Sequence, residues 1–531
     1  MRRLAIAALV AASSAAEAQE VEGPRSGMRQ LPPTVAQKLL ADADPFQFRG
    51  GWLNKLVAAE RSASIVQGTL PLVVIPVLFA DSDPPAAMIA SDALQSRLFD
   101  QSSPSTITAY YRELSLGKLT ISGQVTPWTP TSFPRATVVG QSFGLGAEAK
   151  VREWLREAVA NLDATVDFGR FDNDGPDGAP NSGDDDGRVD GAAFLFAEVD
   201  AACGGNGVWP HRWRLSDESI PGAVTNDPRP NGQMIVVDDY MTLGARNCAG
   251  NLPLEVNVFA HETGHVLGLP DYYDSSGGIL REQRRWVVGC WEIMSAGSWG
   301  CGTGAKATVI NPAHMGPHPK TILGWISPRV VVPEIRPQQF ELRPAHSSGD
   351  ALRVRLSDNE YLLVEYRARQ GFDAALPASG VLVYHVETGR GFLPCPTCPR
   401  RYSYALLEAD GDSALVRAET AGGNRGEGTD AFGGSRSRLD DTTRPSTHLN
   451  NGASTWVRLS RMMVDAAAGL ARVTVSLAPA RFTVEALVAA LGRTPLAPPD
   501  AALIDAAGNA NSRYDVGDFR AYLRIQEETA N

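Results

Sequence analysis

Residues His261 to Asp271 read HETGHVLGLPD and contain two histidines four positions apart. On an α-helix, residues with this spacing lie on one face, with Cβ atoms about 5–6 Å apart. Both imidazoles can therefore reach one zinc ion at ~2.0–2.1 Å. Glu262 lies between them in the sequence, where a carboxylate can take a proton from a zinc-bound water. The stretch predicts a helical zinc site in which Glu262 is the general base.

The residues after this helix predict the third zinc ligand. Gly268 can end the helix at a positive φ, and Pro270 disfavours helical geometry in the residue before it. The resulting turn can bring Asp271 back towards the two histidines, and Asp274 is a competing carboxylate. The alternative is an exposed helix with two solvated histidines. It is disfavoured because the flanking apolar residues predict a buried helix, where unpaired histidines are costly.

Length and charge limit the remaining possibilities. The chain has 531 residues, enough for two to four domains, and a formal net charge of −11. This negative charge argues against a nucleic-acid partner, because no basic patch is available to displace phosphate counterions. No apolar run beyond the N-terminus reaches the ~18 residues of a membrane span, so we expect no membrane anchor. We expect the protein to be a monomer that meets protein or peptide substrates.

The N-terminus predicts export. Residues 1–18 combine an early Arg pair, an apolar run and an Ala-x-Ala site, which is typical of a signal peptide. Residues 19–67 are interpreted as a leader or propeptide. The protein is therefore expected to be secreted. In an oxidising compartment its six cysteines are expected to form disulfides, and the pairs we expect are Cys203–Cys248, Cys290–Cys301 and Cys395–Cys398.

Residues 171–191 form an acidic loop with seven aspartates and five glycines. Like charges at this density repel one another unless a cation compensates them. The alternating spacing and the Gly turns are typical of calcium loops, although no glutamate closes an EF-hand. The alternative is a solvated acidic turn. The candidate calcium ligands are Asp172, Asp174, Asp177, Asp184, Asp186 and Asp190.

Proline positions predict two local features. Leu72 to Phe79 is an apolar run that predicts a buried strand. Pro76 lacks an N–H donor, so it predicts that this strand is an edge strand or carries a bulge. Prolines around His314 and His318 break any helix, so both histidines are expected in a loop.

Several further motifs run in a fixed order through residues 68–475. They are the first strand with Asp81, Tyr110 to Lys118, Val166 to Phe168 with the acidic loop, Trp209-x-His211, His261 to Asp274, Met294 to Trp299, Lys320 to Trp325, and Gly380 to Val386. In these motifs and their order the chain resembles the immune inhibitor A family of secreted, metzincin-like zinc metallopeptidases. The resemblance implies that Met294 belongs to a turn lying under the zinc site as an apolar floor.

The predicted fold class is α+β. A metzincin-like zinc-peptidase domain at residues 68–328 precedes a β-sandwich at 329–479, which is predicted from short alternating strands. The Gly-, Arg- and Asp-rich residues 421–445 predict a long surface loop. Residues 480–531 contain an oxygen-rich loop that opens a helix. They are interpreted as a dockerin-like segment or a small helical appendage.

These features together predict a function. We expect a zinc-dependent endopeptidase in which His261, His265 and Asp271 hold the metal and Glu262 activates its water. One alternative is an exported, non-catalytic binding protein that retains the peptidase fold. Another is a zinc hydrolase that acts on non-peptide bonds.

Overall fold

The computed structural model describes residues 66–530 except 176, 217–219, 277–282, 299, 304–311, 390, 393–401, 479–481 and 493. The predicted signal peptide, nearly all of the predicted leader and the expected Cys395–Cys398 pair lie outside the described residues. The described chain has a mixed α/β structure and divides into two compact units. The first runs to Trp325 and includes Gly371–Ala375 and Ala414–Gly426; the second comprises Ile326–Gln370, Leu376–Ser413 and the chain from Glu427.

The first unit contains both strands and helices. Its strands are β1 (Gly68–Leu78), β2 (Leu119–Val125), β3 (Thr129–Pro130), β4 (Ala192–Phe196), β5 (His211–Arg214), β6 (Ala223–Pro228), β7 (Met234–Val237) and β8 (Asp239–Gly244). Its helices are α1 (Ser91–Phe99), α2 (Ile107–Leu114), α3 (Arg135–Val139), α4 (Val151–Leu162), α5 (Val256–Val266) and α6 (Pro317–Ile322).

The main sheet of the first unit has the order β2-β1-β4-β8-β5, with β3 also paired to β1. Strands β1, β2, β4 and β8 are parallel, and β5 runs antiparallel to β8 at the edge. Strands β1 and β4 are almost continuously apolar and buried, as expected for parallel strands covered on both faces. Strands β6 and β7 form a separate antiparallel pair.

The predicted edge position of the first strand is wrong. Strand β1 lies inside the sheet, because β4 pairs with one side of it and β2 and β3 with the other. On the side of β2 and β3, the carbonyls of Val74 and Leu78 accept hydrogen bonds from Thr126 and Thr131. Pro76 lies between Val74 and Leu78, at a position of β1 with which neither β2 nor β3 pairs. The missing N–H therefore removes no ladder hydrogen bond, and a central strand tolerates this proline.

The core of the first unit is built from the sheet and α4. Trp154 of α4 stacks on Phe79, with ring centroids 4.5 Å apart. Helix α5 carries HETGH, and every one of its residues is buried. A helix that is covered on all sides belongs to a core, as the apolar residues around the motif predict.

The predicted loop around His314 and His318 is wrong for His318. Helix α6 begins at Pro317, so His318 lies in its first turn and only His314 lies in a loop. Proline is tolerated in the first turn because the N–H it lacks has no intrahelical partner there. The prolines therefore begin this helix.

The second unit is rich in strands. Its strands are β9 (Arg329–Val331), β10 (Gln338–Leu342), β11 (Ala351–Arg355), β12 (Glu360–Arg367), β13 (Gly380–Glu387), β14 (Tyr404–Leu406), β15 (Val457–Asp465) and β16 (Leu470–Leu477). Its helices are α7 (Ala345–Ser348), α8 (Val484–Gly492), α9 (Pro498–Ala507) and α10 (Val516–Ala530).

Two sheets of the second unit share one apolar core. Their orders are β14-β13-β12-β11-β9 and β10-β16-β15. Val364 and Val475 from the two sheets, and Leu487, Ile504 and Tyr522 from the last three helices, lie in one cluster. The predicted β-sandwich, the helical C-terminal segment and the domain boundaries stay predictions.

Two of the three expected disulfides are present. Cys203 is bonded to Cys248, and Cys290 to Cys301, as predicted. The second bridge closes a short loop that contains Met294. Within the described residues, no helix is both long enough and apolar enough to cross a membrane.

Candidate active site

The end of α5 determines part of the site's geometry. Gly268 has a φ of 87°, and the N–H of Leu269 bonds the carbonyl of Gly264 at 3.1 Å, which forms a Schellman turn. This turn places the carbonyl of Leu269 2.8 Å from Nδ1 of His265. The Gly-Leu-Pro sequence therefore ends the helix and also orients one histidine.

His261, His265 and Asp271 come together at this turn. Oδ1 of Asp271 lies 3.1 Å from Nε2 of His261 and 3.6 Å from Nε2 of His265. Two ligand atoms ~2.0–2.1 Å from one tetrahedral zinc ion are about 3.3 Å apart. The observed separations bracket that value. Nε2 of His265 is buried and has no hydrogen-bond partner in the described part of the chain.

Both histidines are held in one tautomer. Nδ1 of His261 lies 2.8 Å from the carbonyl oxygen of Ile293, just as Nδ1 of His265 lies 2.8 Å from that of Leu269. A carbonyl only accepts hydrogen bonds, so each Nδ1 carries the proton. Nε2 is therefore the nitrogen of each ring that can bind a metal, and such outer contacts fix ring orientation.

Asp271 also affects the protonation of the two histidines. Burial lowers the pKa of His261, but the hydrogen bond and charge of Asp271 outweigh burial and raise that pKa to about 9. Burial lowers the pKa of His265 to about 3. His261 thus attracts a second proton when no metal is bound, and His265 stays neutral. A cation bound by all three groups takes the place of that proton, so this donor set fits zinc.

Asp274, the competing carboxylate, has a different partner. Its Oδ2 accepts a hydrogen bond from Nη1 of Arg285 at 2.6 Å, and the two residues also exchange main-chain hydrogen bonds. Asp274 is absent from the group formed by His261, His265 and Asp271 among the described residues. The structure therefore brings Asp271 to the histidines and leaves Asp274 in an ion pair.

Met294 packs against α5 between the two histidines. A Cβ built on Gly264 would lie 2.3 Å from Sδ of Met294, so only glycine permits this approach. The carbonyl of Met294 accepts a hydrogen bond from the N–H of Tyr272 at 2.7 Å, next to Asp271. The methionine loop therefore contacts both the helix and the turn that carry the candidate ligands.

Glu262 is buried beside the two histidines on α5, with a side chain that is only slightly accessible. Tyr111 of α2 is buried nearby, and its hydroxyl donates a hydrogen bond to the carbonyl of Ala260 at 2.7 Å. Burial, followed by the charges of Glu292 and Glu262, raises the pKa of Tyr111. Tyr111 therefore stays protonated and anchors the helix one residue before His261.

Sequence reasoning missed three groups that support the site. The carbonyls of Ile293 and Leu269 orient the histidines, but every residue has a carbonyl, so the sequence carries no signal for them. Glu292 is fully buried, and its carboxylate accepts hydrogen bonds from the N–H groups of Met294 and Gly316. A charged residue within the apolar WEIM stretch was the available signal for Glu292.

Three of the six predicted calcium ligands come together. Single carboxylate oxygens of Asp172, Asp174 and Asp190 all lie within 4.8 Å of one another. Asp172 is fully buried; its Oδ2 accepts a hydrogen bond from the N–H of Gly187, and Oδ1 has no hydrogen-bond partner among the described residues. Burial, and then the charges of neighbouring aspartates, raises its pKa to about 7. Burial likewise raises the pKa of Asp190.

The other three predicted calcium ligands lie outside this group. Asp177, Asp184 and Asp186 are exposed and accept main-chain hydrogen bonds from Ala179, Asp177 and Arg188, respectively. Asp185 was not predicted. It is buried and accepts hydrogen bonds from the N–H groups of Gly175 and Ser182, which holds the loop closed.

Two further histidines, His211 and His385, are buried and hydrogen-bonded. Nδ1 of His211 donates to the carbonyl of Trp209 at 2.7 Å, and Nε2 lies 3.1 Å from the hydroxyl of Tyr240. Burial lowers the pKa of His211 to about 4, so it stays neutral. In the second unit His385 pairs with Glu360 at 2.8 Å.

The chain is similar to known peptidases over part of its length. Residues 87–326 match the family model of the immune inhibitor A peptidase M6 catalytic domain. Immune inhibitor A of Bacillus thuringiensis subsp. alesti is 31% identical over 249 residues, 43% of this chain and 34% of that protein. The pre-pro-metalloprotease PrtV of Vibrio cholerae serotype O1 (strain M66-2) is 33% identical over 202 residues, 36% of this chain and 21% of that protein.

The chain thus spans about a third of the length of one curated relative and about a fifth of the other. The matched range contains the two histidines, Glu262, Asp271 and Met294. The family model and the relatives' names support a metallopeptidase domain. Residues 87–326 are therefore similar to the catalytic domain of the immune inhibitor A family, peptidase family M6, and the resemblance predicted from the sequence is confirmed.

Proposed function

We propose that this protein is a secreted zinc-dependent endopeptidase that hydrolyses peptide bonds in protein substrates. The observation that carries the proposal is the donor set of His261, His265 and Asp271. Two Nε2 atoms held by Nδ1 hydrogen bonds face one carboxylate oxygen at 3.1 and 3.6 Å. Two imidazoles and one carboxylate are the ligand types of catalytic zinc sites, where three protein ligands leave a position for water.

The proposed mechanism assigns each residue one task. His261, His265 and Asp271 would hold the zinc, which when bound lowers the pKa of its water and polarises the scissile carbonyl. Glu262 takes the proton of the attacking water and later gives it to the leaving amine. The position of Glu262 next to His261 on α5 supports this role, since a general base must lie within hydrogen-bond reach of the proton it takes.

The metzincin-like assignment and secretion are part of the proposal. The packing of Met294 against α5 at Gly264 supports a methionine turn beneath the histidines. The two disulfides support an oxidising compartment, as expected for an exported protein with a signal peptide at residues 1–18. The monomeric state expected from the sequence stays a prediction.

We also propose a calcium ion at the acidic loop. Three oxygens of Asp172, Asp174 and Asp190 within 4.8 Å of one another support a cation, and hard carboxylate oxygens suit calcium. The buried Oδ1 of Asp172 supports the same conclusion, because a carboxylate oxygen without a donor is costly unless a cation compensates it. Asp177, Asp184 and Asp186 are not part of this proposed site.

Replacement of Glu262 tests the proposed chemistry. Glu262→Gln keeps the shape of the side chain but removes the base, so casein cleavage is expected to fall by about 10²–10⁴-fold. Zinc content, measured on the same sample by metal analysis, is expected to stay at the wild-type level because no ligand has changed. Zinc removal with a chelator and its return should abolish and restore cleavage by the wild type.

The same experiment separates the alternatives. A Glu262→Gln variant that cleaves casein as fast as wild type contradicts the mechanism. A wild-type protein that holds zinc and cleaves neither proteins nor peptides contradicts the endopeptidase proposal. It would favour the non-catalytic binding protein, or a hydrolase that acts on other bonds.

A further inference from the structure

The loop around Met294 connects the candidate zinc ligands to more distant chain. We call residues 286–302 the methionine loop. Its Ile293 carbonyl orients His261, and its Met294 carbonyl accepts a hydrogen bond from Tyr272, next to Asp271. The Cys290–Cys301 bridge closes the loop across its base. The loop therefore contacts the proposed zinc site at two places, His261 and the residue that follows Asp271.

A segment far downstream holds the methionine loop in place. We call Ala414–Gly426 the clamp segment; it belongs to the first unit although it follows Trp325 by many residues. Four main-chain hydrogen bonds join it to the loop. They are Val287 N to Leu415 O (2.9 Å), Cys290 N to Arg425 O (2.6 Å), Arg425 N to Gly302 O (3.0 Å) and Gly302 N to Gly426 O (2.7 Å).

The contact is tightly packed and buried. A Cβ built on Gly289 would lie 2.7 Å from the carbonyl oxygen of Arg425 and 2.7 Å from Cδ2 of Leu415. Leu415 is completely buried, and the Arg425 side chain is 2% exposed. Nε of Arg425 lies 3.6 Å from Oε1 of Glu419, so an ion pair within the clamp segment supports its shape.

The clamp segment lies outside the residues that match the family's catalytic domain. That match ends at residue 326. The sequence predicted a surface loop at residues 421–445, which is wrong for Gly423, Asn424, Arg425 and Gly426 because all four are buried. Glycine-rich composition predicts a loop, but it does not distinguish a solvated loop from one pressed against a neighbour.

We infer that the clamp segment is a positioning element of the active site. It fixes the methionine loop at both ends of the Cys290–Cys301 bridge, and through Ile293 it fixes the ring of His261. The inference rests on the proposed zinc site and extends it beyond the matched catalytic domain. Groups that orient metal ligands typically change metal affinity or activity by 10–100-fold when they are altered.

A single added methyl group tests the clamp. Gly289→Ala in the full-length protein places its Cβ against Arg425 and Leu415 and pushes the two segments apart. The protein is loaded with cobalt(II), whose visible absorption reports the geometry of its ligands. The variant is expected to show shifted cobalt bands, faster cobalt loss to a chelator, and a kcat lowered by roughly 10- to 100-fold at unchanged KM.

Gly232→Ala is the matched control. Gly232 has a φ of 82°, close to the 68° of Gly289, but no atom lies within 4 Å of its Cβ position. Both variants thus carry the strain of a positive φ, and only Gly289→Ala carries the collision. Cobalt bands that are unchanged in Gly289→Ala, or shifted equally in both variants, overturn the inference.

A second variant covers the case in which Gly289→Ala does not fold. Arg425→Lys keeps the charge but loses the guanidinium shape, and it is expected to shift the cobalt bands in the same direction by less. Wild-type bands and kcat in Arg425→Lys would then overturn the inference. Cobalt spectra are read without substrate, so they decide the role of the clamp even if the wild type cleaves no peptide.

Discussion

The two candidate metal sites of the first unit differ in how the chain spaces their ligands. His261 and His265 lie one turn apart on a helix. Asp271 comes after the turn that ends this helix, which contains Gly268 and Pro270. The acidic loop has no repeating backbone geometry, and only three of its six predicted ligands meet. Spacing in the sequence becomes distance in space only where the backbone repeats, so a helical motif locates a site more closely than a loop motif.

The two sites also differ in charge. The histidine site has one carboxylate and two imidazoles that can stay neutral, which suits zinc. The loop site has three carboxylates, and burial together with the charges of neighbouring aspartates raises the pKa of Asp172 and of Asp190, which suits a hard cation bound by oxygen. We therefore expect loss of the first ion to abolish catalysis and loss of the second to reduce stability.

The largest expected effect follows from replacing the third ligand. Asp271→Asn removes the carboxylate that faces both Nε2 atoms, so zinc affinity is expected to fall by at least about 100-fold, with loss of casein cleavage. Asp274→Asn is the control, because Asp274 is equally buried but pairs with Arg285. It should lower thermal stability and leave zinc bound. Zinc loss in Asp274→Asn and not in Asp271→Asn would reverse the assignment.

An intermediate effect is expected at the contact between helix and methionine loop. Gly264→Ala places a methyl group where Sδ of Met294 now lies, so the loop and the Ile293 carbonyl must shift. We expect kcat/KM to fall by roughly 10- to 100-fold while zinc remains bound. The double variant with Met294→Ala should recover part of this loss. Wild-type kinetics in Gly264→Ala would show that Met294 does not position the site.

The smallest effect on catalysis is expected at the acidic loop. Calcium is expected to raise the Tm of the wild type by roughly 5–10 °C at 100 times its Kd. Asp172→Asn should abolish most of this increase, whereas Asp177→Asn, an exposed residue of the same loop, should retain it. The measurement is thermal unfolding with and without calcium, at constant zinc. Equal Tm values with and without calcium in the wild type contradict the proposed calcium site.

The parts of the site that the sequence predicted depend on local geometry. Helical spacing brought His261 and His265 together, and the signals of Gly268 and Pro270 brought Asp271 back to them. Such features follow from the backbone preferences of a few adjacent residues. The buried strand at β1 was predictable for the same reason, from the apolar run Leu72 to Phe79.

The parts that the sequence did not predict depend on residues far apart in the chain. To predict the central position of β1, one would have to know that β2 pairs with it only up to Val74 and β3 only from Val77, which leaves Pro76 unpaired on that side. Ile293 orients His261 through its main-chain carbonyl, so the identity of its side chain gives no sign of this role. Burial of Arg425 results from packing against residues more than a hundred positions earlier, and local composition does not contain that contact.

The clamp segment has a consequence for the order of events during synthesis. The first unit is complete only once Gly426 has been made, about 100 residues after Trp325. At 5–20 residues per second, this delay is roughly 5–20 s. Throughout that interval the growing chain already contains His261 but lacks the segment that we propose orients it through Ile293. We therefore expect the nascent chain to complete the proposed zinc site late, only after the clamp segment has been synthesised.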